Sequence, residues 1–108
     1  MKTLNALGDP TRRLLFEHLR KGPCSVTELM SIVPVSQPAV SQHLKILRDA
    51  RLVRVEKRGR QRIYHLNPVG LAELREYTES LWEDVLHAFG EEAERMVNAA
   101  ENPLEETE

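Results

Sequence analysis

Two serine caps and one proline dictate what the segment from Ser25 to Asp49 can become. Ser25-Val-Thr-Glu28 has the form of a capping box, in which the serine hydroxyl and the glutamate carboxylate each satisfy a backbone N–H at a helix start. The helix it opens is short and is expected to end near Ile32. Pro34 disfavours helical geometry at Val33, so Val33-Pro34-Val35 makes a turn. Ser36 then caps a second helix. Helical periodicity puts Val40, Leu44 and Leu47 on one face of it, with Ala39 and Ala50 at the edge. Gln37, Ser41, Lys45 and Arg48 fall opposite, beside Pro38 and Gln42. The outcome is helix, tight turn, helix, the second buried on one side and polar on the other.

The flanking segments carry equally local signals. Asp9-Pro10 is a helix start, an N-cap carboxylate followed by proline at the first helical position. Leu14, Leu15, Phe16 and Leu19 supply the apolar stripe of a helix to about Arg20, and Gly22-Pro23 stops it. Leu4 and Leu7 suggest a short leading helix. Leu52–Glu56 and Arg62–Leu66 are rich in Val, Ile and Tyr and flank a glycine, which predicts a β-hairpin. Its tip, Lys57-Arg58-Gly59-Arg60-Gln61-Arg62, carries four basic side chains. Asn67-Pro68 repeats the cap-then-proline signal and opens a long helix from about Val69 into the high nineties.

In that last helix Leu71, Leu74, Thr78, Leu81, Val85 and Ala88 approximate a heptad seam, widened by Trp82, Leu86 and Phe89. A helix of that reach, ~45 Å at 1.5 Å per residue, outruns a domain this small, so part of the seam is expected to pack on a second subunit. Gly90 weakens the helix and is a candidate bend. A chain of 108 residues suits one compact domain, expected over 1–98, with 99–108 as an acidic, disordered tail.

The net charge of -2 conceals a division. Residues 1–66 hold thirteen Lys/Arg against five Asp/Glu, a net of +8, and residues 67–108 hold two against twelve, a net of -10. The basic part includes the polar helix and the hairpin, and so points to a polyanionic partner. Gln and Ser can both donate and accept, which suits base edges in the major groove. Lys45 and Arg48 suit phosphates, as does the N–H-rich start of the helix. Carboxylates would repel the backbone there, and the exposed face has none before Asp49.

Taken in order, Ala6-Leu-Gly-Asp-Pro-Thr-Arg12, Ser25-Val-Thr-Glu-Leu29, Ser36-Gln-Pro-Ala-Val-Ser-Gln-His-Leu44, Leu47-Arg-Asp-Ala-Arg-Leu-Val53 and Gly59-Arg-Gln-Arg-Ile-Tyr64 resemble the ArsR/SmtB superfamily of bacterial winged-helix repressors. The resemblance covers about residues 3 to 95 and looks most like a branch without a metal-site motif. It implies a mainly α, winged helix-turn-helix fold with a small β-hairpin as the wing. It implies a homodimer that binds double-stranded operator DNA as a repressor; independently, a single cysteine fits the reducing cytoplasm expected here. The terminal helices would form the dimer interface, through Leu4, Leu7, Leu74, Leu81, Trp82, Val85 and Phe89. It puts Gln37, Ser41 and Gln42 at base edges, with Pro38 in the same first turn. Ser36, His43, Lys45 and Arg48 would lie at or beside the DNA backbone, and Lys57, Arg58, Arg60 and Arg62 on the wing. His43 sits at the boundary with the buried face, where a packed, hydrogen-bonded ring and a DNA contact are both open. Arg51 stands where the family often has glycine.

Sensing is where the sequence departs from metal-binding relatives. Thr27-Glu-Leu-Met-Ser-Ile32 has no cysteine, and Asp84 and His87 are two ligands where structural zinc takes four. No metal and no cofactor are expected. Cys24 alone cannot form an intrachain disulfide, and a thiol switch would need an intersubunit partner. MKTLNALGDPTRR lacks the apolar core of a signal peptide, and no apolar run approaches the ~20 residues of a membrane span. Two other readings stand beside the repressor: a ligand-, metal- or redox-responsive sensor of the same fold, and a winged-helix interaction module that does not read DNA. An enzyme is not expected, since the chain has no phosphate loop, GxSxG or HExxH.

Overall fold

The computed structural model describes residues 1–101. The chain divides into two compact units, Met1–Leu74 and the part from Arg75 onward. The first unit runs α1 (Lys2–Gly8), α2 (Pro10–Leu19), β1 (Cys24–Ser25), α3 (Val26–Met30), α4 (Gln37–Asp49), β2 (Val53–Arg58), β3 (Gln61–Leu66) and the start of α5 (Pro68–Phe89). Helix α5 continues into the second unit, which also holds α6 (Glu91–Glu101).

The caps act as their side chains predict. Asp9 Oδ2 accepts from the Arg12 N–H at 3.0 Å, and Asn67 Oδ1 accepts from the Val69 N–H at 3.0 Å. The Ser25 box forms only by half. Ser25 Oγ accepts from the Glu28 N–H at 3.2 Å, but Glu28 Oε1 takes the serine hydroxyl, 3.4 Å away, instead of a backbone N–H. Ser25 is also the last residue of β1, paired with Ile63, so its backbone already belongs to a sheet. That strand was not expected from the sequence. It turns the hairpin into a three-stranded antiparallel sheet in the order β1-β3-β2.

The hairpin is longer and its tip shorter than the sequence suggests. Arg58 pairs with Gln61, which leaves Gly59 and Arg60 as a two-residue turn. Gly59 has φ +60°, which a type II′ turn requires at its first position. The core beneath joins Leu15, Phe16 and Leu19 of α2, Leu29 of α3, Val40, Leu44 and Leu47 of α4, and Leu52, Val53 and Tyr64 of the sheet. Each such side chain contributes about 1.5–3 kcal/mol on burial. Leu14, expected in the stripe, points outward and is 55% exposed, because the buried arc of α2 is narrow and Leu15 fills it.

Helix α4 ends in a Schellman motif. The Leu52 N–H reaches back to Leu47 O at 3.0 Å and the Arg51 N–H to Arg48 O at 2.9 Å. Arg51 occupies the left-handed position, φ 59°, that glycine usually takes. The start of α5 docks on this end: the Asn67 N–H donates to Leu52 O at 2.9 Å, and the Gly70 N–H to Arg51 O at 2.8 Å.

The expected single C-terminal helix is in fact two. Gly90, at φ +60°, breaks it after Phe89, a conformation that ends a helix instead of merely bending it. The second unit buries Ala93, and Trp82, Val85, Phe89, Met96 and Val97 line an apolar cleft of about 250 Å³ beside it. Helical structure reaches Glu101, three residues into the segment 99–108 expected to be a disordered tail, because Ala99-Ala100-Glu101 are good helix formers. Residues 102–108 of that expectation lie outside the described residues. No helix among those described is long and apolar enough to cross a membrane.

Candidate nucleic-acid interface

Helix α4 starts cleanly. Ser36 Oγ faces the Ala39 N–H at 3.4 Å, Pro38 sits in the first turn, and no acidic residue does. With Val40, Leu44 and Leu47 buried, Ser36, Gln37, Pro38, Ser41, Gln42, Lys45 and Arg48 are all exposed along one edge. These seven residues are brought together as the spacing predicts. His43 is different: its side chain is only 20% exposed, and Nδ1 faces Arg12 Nη1 at 3.4 Å.

The wing residues do not form one set. Strand alternation puts Arg54, Glu56 and Arg58 on one face of the hairpin and Val55, Lys57, Arg62 and Tyr64 on the other. On the first face Glu56 Oε1 accepts from Arg58 Nε at 2.8 Å, and Glu56 Oε2 lies 3.0 Å from His65 Nε2. The Arg58 hydrogen bond, then His65, holds the Glu56 carboxyl below its ordinary value. On the second face Arg62 looks toward α4: Ser41, Lys45, Arg48, Arg62 and Tyr64 line one cleft of about 200 Å³. A larger one, about 460 Å³, opens beside it between Gln37 and Ser41 of α4, Thr27 and Met30 of α3, and Arg60, Gln61 and Arg62 of the wing. Among the described residues Lys45, Arg48, Lys57, Arg60 and Arg62 take part in no ion pair, whereas Arg58 does. The walls of both clefts thus carry cations whose charge no carboxylate answers.

Sequence reasoning missed Thr27 and Met30, which reach the cleft only because β1 draws the start of α3 to the wing. It also missed the link from Arg12 to His43, 31 residues apart. The only signal for Arg12 was its place in the Asp-Pro-Thr-Arg run.

The other candidates lie elsewhere. Leu4, Leu81, Trp82 and Phe89 are exposed, between 40% and 59%, while Leu7, Leu74 and Val85 are half-buried, Leu7 against the core of the first unit. Cys24 is buried, its thiol 3.5 Å from Gly22 O, and burial with the nearby Glu28 pushes it above the usual thiol range, away from the reactive thiolate. Asp84 and His87 are exposed, and among the described residues no three His, Cys, Asp or Glu side chains are grouped to hold a metal ion.

Comparison with known proteins points the same way as the geometry. The family model described as "Bacterial regulatory protein, arsR family" matches residues 9–55. The chain is 48% identical over 86 residues to the HTH-type transcriptional regulator Rv2034 of Mycobacterium tuberculosis, covering 80% of each. Among solved structures it resembles a "Possible transcriptional regulator for arsenical resistance", with TM-score 0.70 and 43% identity over 76% of this chain and 85% of that one. It also resembles the transcriptional repressor BigR of Xylella fastidiosa, with TM-score 0.60 and 30% identity over 74% and 82%.

Proposed function

The chain belongs to the arsR family of bacterial regulatory proteins and is a DNA-binding transcriptional repressor of that family, and we propose that it works as a homodimer whose two α4 helices enter successive major grooves of double-stranded operator DNA. The observation that carries this reading is the exposed, carboxylate-free edge of α4 facing the unpaired Arg62 of the wing across a cleft of about 200 Å³. Gln37, Ser41 and Gln42 read base edges, since each can donate and accept there. Ser36, Lys45 and Arg48 hold the adjoining backbone, and Pro38 stiffens the turn that approaches it. Lys57, Arg60 and Arg62 bring the wing to the phosphates, while Arg58 is restrained by Glu56.

Pairing of subunits is supported by the exposed Leu4, Leu81, Trp82 and Phe89, an apolar set that a lone subunit would leave in water. Leu7, Leu74 and Val85 flank them in the same helices. The protein acts in the cytoplasm, where its target lies, and no catalytic role enters this reading.

Footprinting of the purified protein on duplex DNA from its own upstream region tests it. The expected result is a two-fold symmetric protected site with half-sites about one helical turn apart. Gln42→Ala should weaken that site far more than non-specific duplex. A monomer that protects nothing at modest ionic strength, or equal loss on both duplexes, refutes the reading.

A further inference from the structure

Arg12 spends its side chain in an unusual way for a cation in a DNA-binding protein. Nε donates to Ala6 O at 2.8 Å and Nη2 to Asn5 O at 3.3 Å. Both carbonyls belong to the last turn of α1, where no helical N–H follows to bond them. The third arm, Nη1, lies 3.4 Å from His43 Nδ1 on α4. A guanidinium nitrogen has no lone pair to offer, so a hydrogen bond across this contact requires Nδ1 as acceptor and the ring proton on Nε2. The Arg12 backbone N–H meanwhile binds Asp9 Oδ2, which stands 4.0 Å from the same Nδ1. No described residue bonds Nε2, and Nε2 is not among the buried unsatisfied atoms, so it meets solvent. His43 itself follows Gln42 and stands at the margin of the edge that faces DNA.

We propose that Arg12 is a positioning residue for operator binding: by occupying Nδ1 of His43 it holds the ring with its Nε2–H turned to a phosphate oxygen, and ties α4 to the end of α1. The proposal rests on the reading of α4 as the DNA-entering helix. It divides the work between the two residues. Arg12 never touches the duplex, and its charge is absorbed by helix carbonyls and the Asp9 carboxylate. His43 touches the duplex through one nitrogen only, in an orientation that its own rotamer freedom would otherwise blur. Two titratable groups face the ring, Arg12 and Asp9.

A double-mutant cycle on the full chain tests this, with operator affinity as the readout and folding of each variant followed by circular dichroism. Arg12→Lys keeps the charge but not the fork. It should weaken operator binding about tenfold in the parent and less than twofold in a His43→Ala background, because the second substitution removes what Arg12 positions. Equal losses in both backgrounds overturn the proposal and leave Arg12 as a helix cap alone. Ring-nitrogen NMR of His43 in the unsubstituted protein tests the same point with no variant to fold. Protonated Nε2 with bare Nδ1 is expected, and a proton on Nδ1 overturns it. Gln42→Ala separates the layers: if the parent binds and Gln42→Ala loses specificity while the cycle is additive, only Arg12 is misassigned. If the parent binds no duplex, the reading of α4 itself fails.

Discussion

A single methyl group at Gly70 should unhinge the joint between α4 and α5. A Cβ built there would stand 2.4 Å from Arg51 O, 2.6 Å from Arg51 C and 2.7 Å from Ala50 O. Ordinary contact begins at about 3.4 Å, so the two backbones must part by about 1 Å. None of the three atoms can rotate aside, because the Schellman bonds of Arg51 and Leu52 hold that segment. Overpacking of this kind costs ~1–3 kcal/mol. The Gly70 N–H bond to Arg51 O is stretched at the same time, worth ~1 kcal/mol or more in a buried place. Alanine returns ~1 kcal/mol of helix propensity. The expected net loss is therefore about 1–3 kcal/mol, which lowers the midpoint by roughly 5–20 °C for a domain of this size. Gly8 provides the control, since it is also helical and a Cβ there meets nothing within 4 Å. Thermal unfolding by circular dichroism, at one fixed protein concentration, compares the two. Gly70→Ala as stable as Gly8→Ala would refute the packing argument.

Four further outcomes follow. Arg51→Gly should raise stability by about 0.5–1 kcal/mol in a urea titration, since it removes the strain of a side chain at φ 59° and gives back part of it as unfolded-chain entropy. Thr3→Val should raise the urea midpoint, by about 1 kcal/mol of stability, because Thr3 Oγ1 is buried without a partner among the described residues. In duplex binding against salt, Arg62→Ala should flatten the log–log slope by about one per subunit and Arg58→Ala by less, because Glu56 already holds Arg58. The N–H of Arg12 above all holds the Asp9 carboxyl below its ordinary value, so the support Asp9 gives is complete above pH 3.8 and fades as pH falls through the lower folded value. Acid titration of unfolding should show this dependence in the parent and lose it in Asp9→Asn.

The sequence was legible wherever one residue type fixes its own surroundings. Asp9, Ser36 and Asn67 cap helices because their side chains reach N–H groups two or three residues ahead, and Val40, Leu44 and Leu47 share a face by spacing alone. What depended on distant partners was not legible. Two residues, Cys24 and Ser25, make a strand only because Tyr64 and Ile63 come beside them, and that pairing also withdrew Glu28 from its expected capping bond. The wing cations looked alike in sequence, but strand alternation separated Arg62 from Arg58. Gly90 gave a signal of the right kind and the wrong strength, since its left-handed backbone ends α5 outright.

The first turn of α4 contains no acidic side chain, and its one side-chain bond, from Ser36, is long at 3.4 Å. A carboxylate in the first turn is favourable at the positive pole of that end. This helix leaves the pole open, and on the proposed reading an incoming phosphate would supply the missing negative charge. Shape and target would then be linked, the bound duplex completing an opening turn that the protein alone leaves uncompensated. Amide exchange in residues 37–40 should accordingly slow on complex formation more than exchange around Leu44 and Leu47, which the core already protects.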